Sequence, residues 1–358
     1  MNPNPAEPVA RPVLQLVGVR KIFSDVPAVD GIDLDIREGE FLTIVGPSGS
    51  GKTTLLRMLA GLERPSEGNI TLRGVLMNDV PPDRRPTCLV FQSLALFPHK
   101  SVGENIEFPL KVRKMPPAER KARALELLRM VRLPEGYYGR NVTRCSGGER
   151  QRVALARAFA YDPDVLFFDE PLSALDYKLK KILEKELKEL HRESGKTFVY
   201  ITHSLEEAMV MSDRIAVMQS GRIAQIGTPD EIYGRPTNRF VAEFFGEVNV
   251  LDIHREAGGW AAAETGRLAV DPAADRFGET AALVVRPEAM RFVGEAASAE
   301  NVLSGEVRNR YSLGSRIQYR VHAAQRTFLV EAPAGGTAPT GATVRIGWDA
   351  ADAIVVAR

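Results

Sequence analysis

The 358-residue sequence has few cysteines, no long apolar run and almost no net charge. Its two cysteines exclude a disulfide framework and favour a reducing compartment. No apolar run approaches the ~18 residues that a membrane-spanning helix needs. The 47 basic and 46 acidic residues leave a net charge of +1, which argues against nucleic acid as a partner, because proteins that bind it usually carry a clear positive excess.

The N-terminal stretch lacks the apolar core of a signal peptide. It is spaced instead by Pro3, Pro5, Pro8 and Pro12. We therefore expect residues 1–12 to form a disordered leader and the chain to be cytosolic. Any role in a membrane process would then be that of a peripheral subunit.

One segment matches the complete phosphate-loop pattern G-x-x-x-x-G-K-[ST]. It follows the apolar run Phe41–Val45, which predicts a buried parallel strand, and precedes a predicted helix over 54–60 that Gly61 would close. Backbone N–H groups of such a loop cradle phosphates, its lysine reaches the terminal phosphates, and its final hydroxyl holds Mg²⁺. The residues predicted to bind ATP here are Gly46, Pro47, Ser48, Gly49, Ser50, Gly51, Lys52, Thr53 and Thr54.

A second glycine pair opens a helix further along the chain. Ser146, Gly147, Gly148 and Glu149 precede a helical run. Successive glycines let the backbone approach a phosphate closely, and the N–H groups at a helix start favour negative charge. The sequence therefore predicts two anion-binding helix starts.

Two acids follow the apolar run 165–168. Asp169 and Glu170 would lie at the carboxyl end of a buried strand, where open α/β sheets bind their ligands. Asp169 suits the Mg²⁺ shell, and Glu170 suits polarisation of the attacking water.

These elements, in this order, resemble the ATP-binding-cassette (ABC) ATPases. The family signature is usually Leu-Ser-Gly-Gly-Gln, and Cys145 and Glu149 replace its first and last residues here. The resemblance implies that Gln92 senses Mg²⁺ and water, that Asp176 communicates across a dimer, and that His203 contacts the γ-phosphate. It also implies that Phe23 stacks on adenine.

The same resemblance implies a homodimer packed head to tail, in which the signature of one chain closes the ATP site of the other. Together with the sequence pattern it predicts an α/β P-loop domain over residues 13–240, with an inserted helical subdomain at about 94–152. Short alternating runs predict a small all-β domain over 241–358. The run 284–288 resembles the OB-like TOBE domain of importer ATPases.

The resemblance further implies a peripheral subunit on the cytoplasmic face of the inner membrane, working with two permease subunits and an extracytoplasmic binding protein. The segments 173–179 and 244–249 resemble the spermidine/putrescine branch. Ferric iron, sugars and oxyanions are the alternative substrates. A soluble, non-transport ABC ATPase is disfavoured, because 54–144 has no sustained heptads and so no long coiled coil. A ligand-sensing role of the β-domain could be added to transport.

Three smaller questions stay open in the sequence. The apolar segment 94–99 could be core or a docking surface for a permease helix. Cys145 could be a reactive thiol with a lowered pKa at a helix start, or a buried, inert one. The helix predicted over 177–193 should bury Leu179, Ile182, Leu183, Leu187 and Leu190, and its Lys and Glu residues should form a solvated face.

Overall fold

The computed structural model describes residues 12–256, 258–294, 298–335 and 338–357. The chain divides into two compact units at Pro229/Asp230. Residues 230–240, which the sequence analysis assigned to the first domain, thus fall in the second unit. The predicted leader, Pro12 excepted, lies outside the described residues. Within the described ranges, no helix is both long and apolar enough to cross a bilayer.

The described residues of the first unit form two sheets and six α-helices. Its strands are β1 (Pro12–Phe23), β2 (Val26–Arg37), β3 (Phe41–Val45), β4 (Glu67–Leu72), β5 (Val75–Leu76), β6 (Thr87–Val90), β7 (Val165–Asp169), β8 (Thr197–Ile201), β9 (Arg214–Gln219) and β10 (Arg222–Gly227). Its helices are α1 (Lys52–Leu59), α2 (Val102–Val112), α3 (Pro117–Met130), α4 (Gly147–Ala160), α5 (Tyr177–Ser194) and α6 (Leu205–Met211).

The larger sheet has the strand order β10-β9-β3-β8-β7-β6, and all its neighbours except the β10–β9 pair are parallel. The smaller sheet, β2-β1-β4-β5, is antiparallel. Because parallel strands end at the same edge, the residues that follow β3, β6, β7 and β8 are brought to one side of the larger sheet.

Alternate residues of the central strands face two different cores, as the period of two in a strand requires. Phe168 and Tyr200 pack with α2 to α5 on one face. Phe167 and Val199 pack with α1 and the antiparallel sheet on the other. The central strands are therefore covered on both faces, which is why they read as continuous apolar runs.

The helices predicted over 54–60 and 177–193 are confirmed in position as α1 and α5, and the description of α5 needs two corrections. A capping box at Ser101 begins α2, since the Ser101 hydroxyl accepts the N–H of Glu104 and the Glu104 carboxylate accepts the N–H of Ser101. In α5, however, Ile182 is 45% exposed. The predicted solvated face of α5 is also wrong in part, because Glu184 is 1% exposed and pairs with Lys181.

The second unit is mainly β-structure. Its first elements are two short helices, α7 (Pro229–Gly234), whose first residue is the last of the first unit, and α8 (Arg239–Phe244). The strands that follow are β11 (Asn249–Glu256), β12 (Gly259–Ala262), β13 (Gly266–Leu268), β14 (Thr280–Val285), β15 (Arg291–Phe292), β16 (Asn301–Ser312), β17 (Arg316–Ala323), β18 (Arg326–Pro333), β19 (Thr343–Trp348) and β20 (Ala353–Val356). They form two five-stranded antiparallel sheets around a shared apolar core.

Candidate functional site

The phosphate loop connects β3 to α1 and is held in place by two close backbone approaches. A Cβ added at Gly46 would lie 2.3 Å from the carbonyl oxygen of Met218 in β9. A Cβ added at Gly51 would lie 2.2 Å from the carbonyl oxygen of Ala28 in β2, and the φ of Gly51 is +100°. Both positions therefore require glycine for packing, and Gly51 requires it for its left-handed backbone as well.

Lys52 is the first residue of α1, and its side chain folds back over the loop. Its ammonium donates to the carbonyl oxygens of Gly46 (2.8 Å) and Pro47 (2.9 Å), and the residue is only 8% exposed. Burial lowers the pKa of Lys52, and the charges of Glu170 and Asp169 oppose that shift. The loop lysine and the two acids thus share one electrostatic environment.

The start of α1 has no side-chain cap. Gly51 occupies the capping position and makes no side-chain hydrogen bond, while Thr53 is exposed and Thr54 is half-buried. The exposed residues of the loop are Pro47, Ser48 and Gly49. First-turn N–H groups without an internal partner are available to an anion.

Asp169 ends β7. Burial raises its pKa, the neighbouring Glu170 adds to the shift, and Arg57 and Lys52 oppose it. Over the described ranges, its carboxylate makes no hydrogen bond or ion pair. A half-buried carboxylate without a donor suits a cation as ligand.

Glu170 has a backbone φ of +46°, which is rare for a residue other than glycine. Its N–H donates to the carbonyl oxygen of Ile201 at the end of β8 (3.0 Å). Its Oε2 lies 3.1 Å from Nδ1 of His203. The strained backbone and these contacts direct the Glu170 carboxylate towards the residues that follow β8.

Gln92 is connected to Glu170 through a residue that the sequence analysis did not select. Gln92 donates to the Ser173 hydroxyl (3.0 Å), which donates to the backbone carbonyl of Glu170 (2.8 Å). The available signal was the position of Ser173 in the turn after Glu170, where hydroxyls commonly bond the backbone. Asp176 caps α5 by accepting the N–H of Leu179 (3.0 Å).

The second glycine pair begins α4, and its start is capped by its own side chains. The Ser146 hydroxyl accepts the N–H of Glu149 (3.3 Å), and the Glu149 carboxylate accepts the N–H of Ser146 (2.7 Å) and the hydroxyl of Tyr137 (2.8 Å). These bonds, with the Ser146 N–H first, lower the pKa of Glu149. Across the described residues, Ser146 makes no hydrogen bond to the phosphate loop of its own chain.

The glycines after Ser146 allow α4 to approach its neighbours. A Cβ added at Gly147 would lie 3.3 Å from Leu175 Cδ2, and one at Gly148 would lie 3.1 Å from Leu179 Cδ1. The helix start therefore packs directly on the segment that carries Asp176.

Cys145 is 5% exposed and packs in the apolar core with Val142. Burial raises the pKa of its thiol, and the Glu149 charge adds to the shift. The alternative of a reactive thiol with a lowered pKa is therefore wrong, and the buried thiol is the better description.

Phe23 ends β1, is 46% exposed, and has the Lys21 ammonium 4.9 Å from its ring centre. The hairpin that carries it lies beside the phosphate loop, because Asp30 donates its N–H to Gly221 (2.9 Å) and Gly221 donates to Ser50 (3.1 Å). Phe23 is thus an exposed aromatic side chain on the hairpin next to the loop.

The apolar segment 94–99 is half core and half surface. Leu94 and Leu96 pack against the core, whereas Phe97 lines an open cavity of about 460 Å³ with Phe91 and Phe108. Arg157, which the sequence analysis also missed, donates to the carbonyl oxygens of Leu94 (2.6 Å) and Ala95 (2.7 Å).

Two family models match the chain. The model described as ABC transporter matches residues 29–173, and the TOBE domain model matches residues 283–356. The second match lies in the β-unit, as the sequence resemblance predicted.

Several curated relatives are similar over most of the chain. A protein of Rubrobacter xylanophilus named spermidine/putrescine import ATP-binding protein PotA is 45% identical over 97% of this chain and 94% of its own length. A protein of the same name from Mesorhizobium japonicum is 46% identical over 85% of each chain.

Solved structures resemble about three fifths of the chain. A dimeric bacterial ABC transporter cassette, MJ0796, is 35% identical with a TM-score of 0.54, covering 60% of this chain and 98% of the cassette. A second structure of that cassette is a dimer in a post-hydrolysis state bound to ADP and Pi. CbiO1 from Clostridium perfringens, part of an ABC transporter complex, is 29% identical with a TM-score of 0.58, covering 63% of this chain and 92% of that one.

Proposed function

Because this chain belongs to the ABC transporter ATP-binding proteins, we propose that it hydrolyses ATP to drive polyamine import through a membrane permease. The observation that carries the proposal is the convergence of Lys52, Asp169 and Glu170 beside the phosphate loop. Spermidine and putrescine are supported by the relatives that carry their names at 45% and 46% identity.

ATP would be bound by residues 46–54, with Phe23 against the adenine. The Lys52 ammonium would exchange the carbonyl oxygens of Gly46 and Pro47 for phosphate oxygens, because charge-assisted contacts are stronger than contacts to neutral carbonyls. The uncapped N–H groups of α1 would add to the same phosphates.

Mg²⁺ fits the oxygen donors at this edge of the sheet. The Asp169 carboxylate, the Thr53 hydroxyl and the Gln92 side-chain oxygen would hold it, and the buried Asp169 gains an ionic partner in doing so. Bound there, Mg²⁺ would neutralise charge on the phosphates. The described residues contain no cluster of three or more His, Cys, Asp or Glu that could bind a metal alone, so phosphate oxygens would complete the shell.

Glu170 would orient the attacking water through its carboxylate. His203, 3.1 Å away through Nδ1, would fix that carboxylate and contact the γ-phosphate. Gln92 would be drawn from Ser173 towards the metal and the water. Holding these groups in place before the reaction supplies much of the catalysis in phosphoryl transfer.

The working unit would be a homodimer. Residues 146–149 of one chain would close the ATP site of the other. Asp176 would communicate between the two chains across the dimer interface. The Ser146 hydroxyl uses its oxygen to cap α4 and retains its hydrogen to donate to a phosphate. The dimeric cassette with 35% identity supports this arrangement.

Each chain of the homodimer would bind one of the two permease subunits at the cavity lined by Phe91, Phe97 and Phe108. Exposed aromatic side chains such as these are typical of interaction sites. The chain would then lie peripherally on the cytoplasmic face of the inner membrane, and an extracytoplasmic binding protein would deliver the substrate.

The proposal is tested by uptake in cells that lack this chain. We expect uptake of labelled spermidine and putrescine to be lost, to return with the wild-type chain, and not to return with Glu170→Gln. Unchanged polyamine uptake, with loss of ferric iron, sugar or sulfate uptake instead, would reassign the substrate. If the cells lose uptake of none of these substrates, the proposed role in import is contradicted.

A further inference from the structure

Two ion pairs join the first turns of α5 and α6. Lys180 pairs with Glu207, and Lys181 Nζ lies 2.8 Å from Glu206 Oε1. The side chains of the first pair are 20% and 2% exposed, whereas Glu206 is 56% exposed. In the Lys180–Glu207 pair, which we call the clamp, the carboxylate is therefore shielded from water, and in the other pair it is not.

The clamp is also attached to the central sheet. Tyr200 in β8 is fully buried and donates its hydroxyl to Glu207 Oε2 (2.8 Å). The Glu207 carboxylate thus binds a donor from β8 and a cation from α5, while its backbone belongs to α6. A buried carboxylate is strongly destabilised without its partners, so these three elements are fixed relative to one another.

Both ends of the clamp lie one helical turn from residues of the candidate site. On α5, Lys180 donates its N–H to the carbonyl of Asp176 (2.9 Å). On α6, Glu207 donates its N–H to the hydroxyl of Ser204 (3.3 Å), which directly follows His203. The clamp therefore sets the spacing between Asp176 and His203.

We propose that the clamp is a positioning device for ATP hydrolysis, which keeps His203 beside Glu170 and ties that geometry to Asp176. The proposal rests on the function proposed above. Among the described residues, neither Lys180 nor Glu207 bonds to the phosphate loop or to the reacting groups, so they act through His203. Their loss should leave nucleotide binding intact and impair the chemical step.

Glu207→Gln tests the clamp with little change in shape. It leaves no buried charge behind, since Lys180 is partly exposed and can turn to water. We expect the kcat for phosphate release by the purified full chain to fall about tenfold, because small misplacements of catalytic groups are costly. The Kd for a fluorescent ATP analogue should stay within about twofold of the wild-type value, because the phosphate loop is unchanged.

Two control variants separate positioning from stability. Glu206→Gln neutralises the exposed pair at the same junction and should change kcat by less than about twofold. Tyr200→Phe removes a buried hydrogen bond to Glu207 and leaves the ion pair, so it should lower Tm and largely preserve kcat.

Lys180→Gln provides a second route if Glu207→Gln does not fold. The double variant should be no slower than either single one, because both remove the same interaction. Wild-type kcat in both single variants would overturn the proposal, as would a parallel loss of ATP affinity or an equal loss of kcat in Tyr200→Phe. No hydrolysis by the wild-type chain would instead count against the proposed function.

Discussion

The two glycine-marked helix starts look alike in sequence and differ in structure. At α1 the capping position is Gly51 in a left-handed conformation, with no side chain bonded to the first turn. At α4 the capping position is Ser146, whose hydroxyl and backbone N–H are both engaged by Glu149. One start leaves its N–H groups to a ligand, and the other satisfies part of its own.

The two helix starts therefore suit two different ways of binding an anion. The α1 loop offers backbone N–H groups and a cation, and its glycines are fixed by the packing on Ala28 and Met218. The α4 start offers a preformed surface, in which Gly147 and Gly148 bring the helix onto Leu175 and Leu179. The first suits tight binding of phosphates, and the second suits a contact made and released within a dimer.

Lys52→Ala tests the first helix start and should have the largest effect. We expect hydrolysis to fall by at least ~100-fold, because a preorganised cation on the phosphates is lost. ATP binding should weaken, while Tm should stay close to that of wild type. Phosphate release near the wild-type rate would rule out the assigned role of Lys52.

Glu170→Gln tests whether the second start belongs to a partner's site. It should bind ATP, fail to activate water, and so accumulate a dimer that size-exclusion chromatography detects. Ser146→Arg in the same chain leaves Lys52 and Thr53 untouched and should keep the protein monomeric with ATP. Equal dimerisation of the single and double variants would exclude a composite site.

Paired glycine substitutions compare the two starts directly. Gly51→Ala places a Cβ 2.2 Å from the Ala28 oxygen at a φ of +100°. Such strain costs about 1–3 kcal/mol, so ATP affinity and Tm should both fall. Gly147→Ala meets only the end of the Leu175 side chain at 3.3 Å, in helical backbone. Its free energy of unfolding should change by less than about 1 kcal/mol. Equal losses of stability in the two variants would mean that the backbones of the two helix starts are equally constrained.

The capping carboxylate makes the second start sensitive to acid. Its hydrogen bonds hold the pKa of Glu149 below the usual value, so its contribution to stability is present above the pKa of the unfolded chain, ~4.3, and is lost as pH falls through the native pKa. Glu149→Gln should therefore have a lower Tm than wild type at pH 7, and the gap should shrink below about pH 4. A Tm difference that does not change with pH would show that the negative charge of Glu149 does not contribute to stability.

The smallest effect is expected at Cys145. Burial raises the pKa of this thiol, so alkylation at neutral pH should be slow and equal with and without ATP. Mass spectrometry of labelled peptides measures both rates. Protection by ATP would show that the thiol opens to solvent in the apo chain.

Local pattern was enough to predict much of the first unit. The strand Phe41–Val45 follows from an apolar run and the helix over 177–193 from a helical spacing of apolar residues, and both are confirmed in position. The bond from Gln92 to Ser173 and the pairing of Lys180 with Glu207 join distant parts of the chain. No periodicity encodes such contacts.

The second unit was less predictable for a related reason. Its helices α7 and α8 span six residues each, too short for a helical period to separate them from loop. Buried Arg286 donates to the carbonyl oxygens of Tyr233 (2.9 Å) and Ala242 (3.1 Å), which ties these helices to β14. Residues 230–240 therefore fall in the second unit although their composition resembles that of the first.

The register of strand β7 decides which side of the sheet each of its residues faces. Phe167 and Phe168 point into opposite cores, and the next two residues send one carboxylate towards Lys52 and Arg57 and the other towards His203. Deleting or inserting a single residue would turn each phenylalanine into the opposite core and displace both acids in one step. The length of this strand is thus a constraint separate from the identity of its side chains, because a shift of one residue moves both phenylalanines and both acids together.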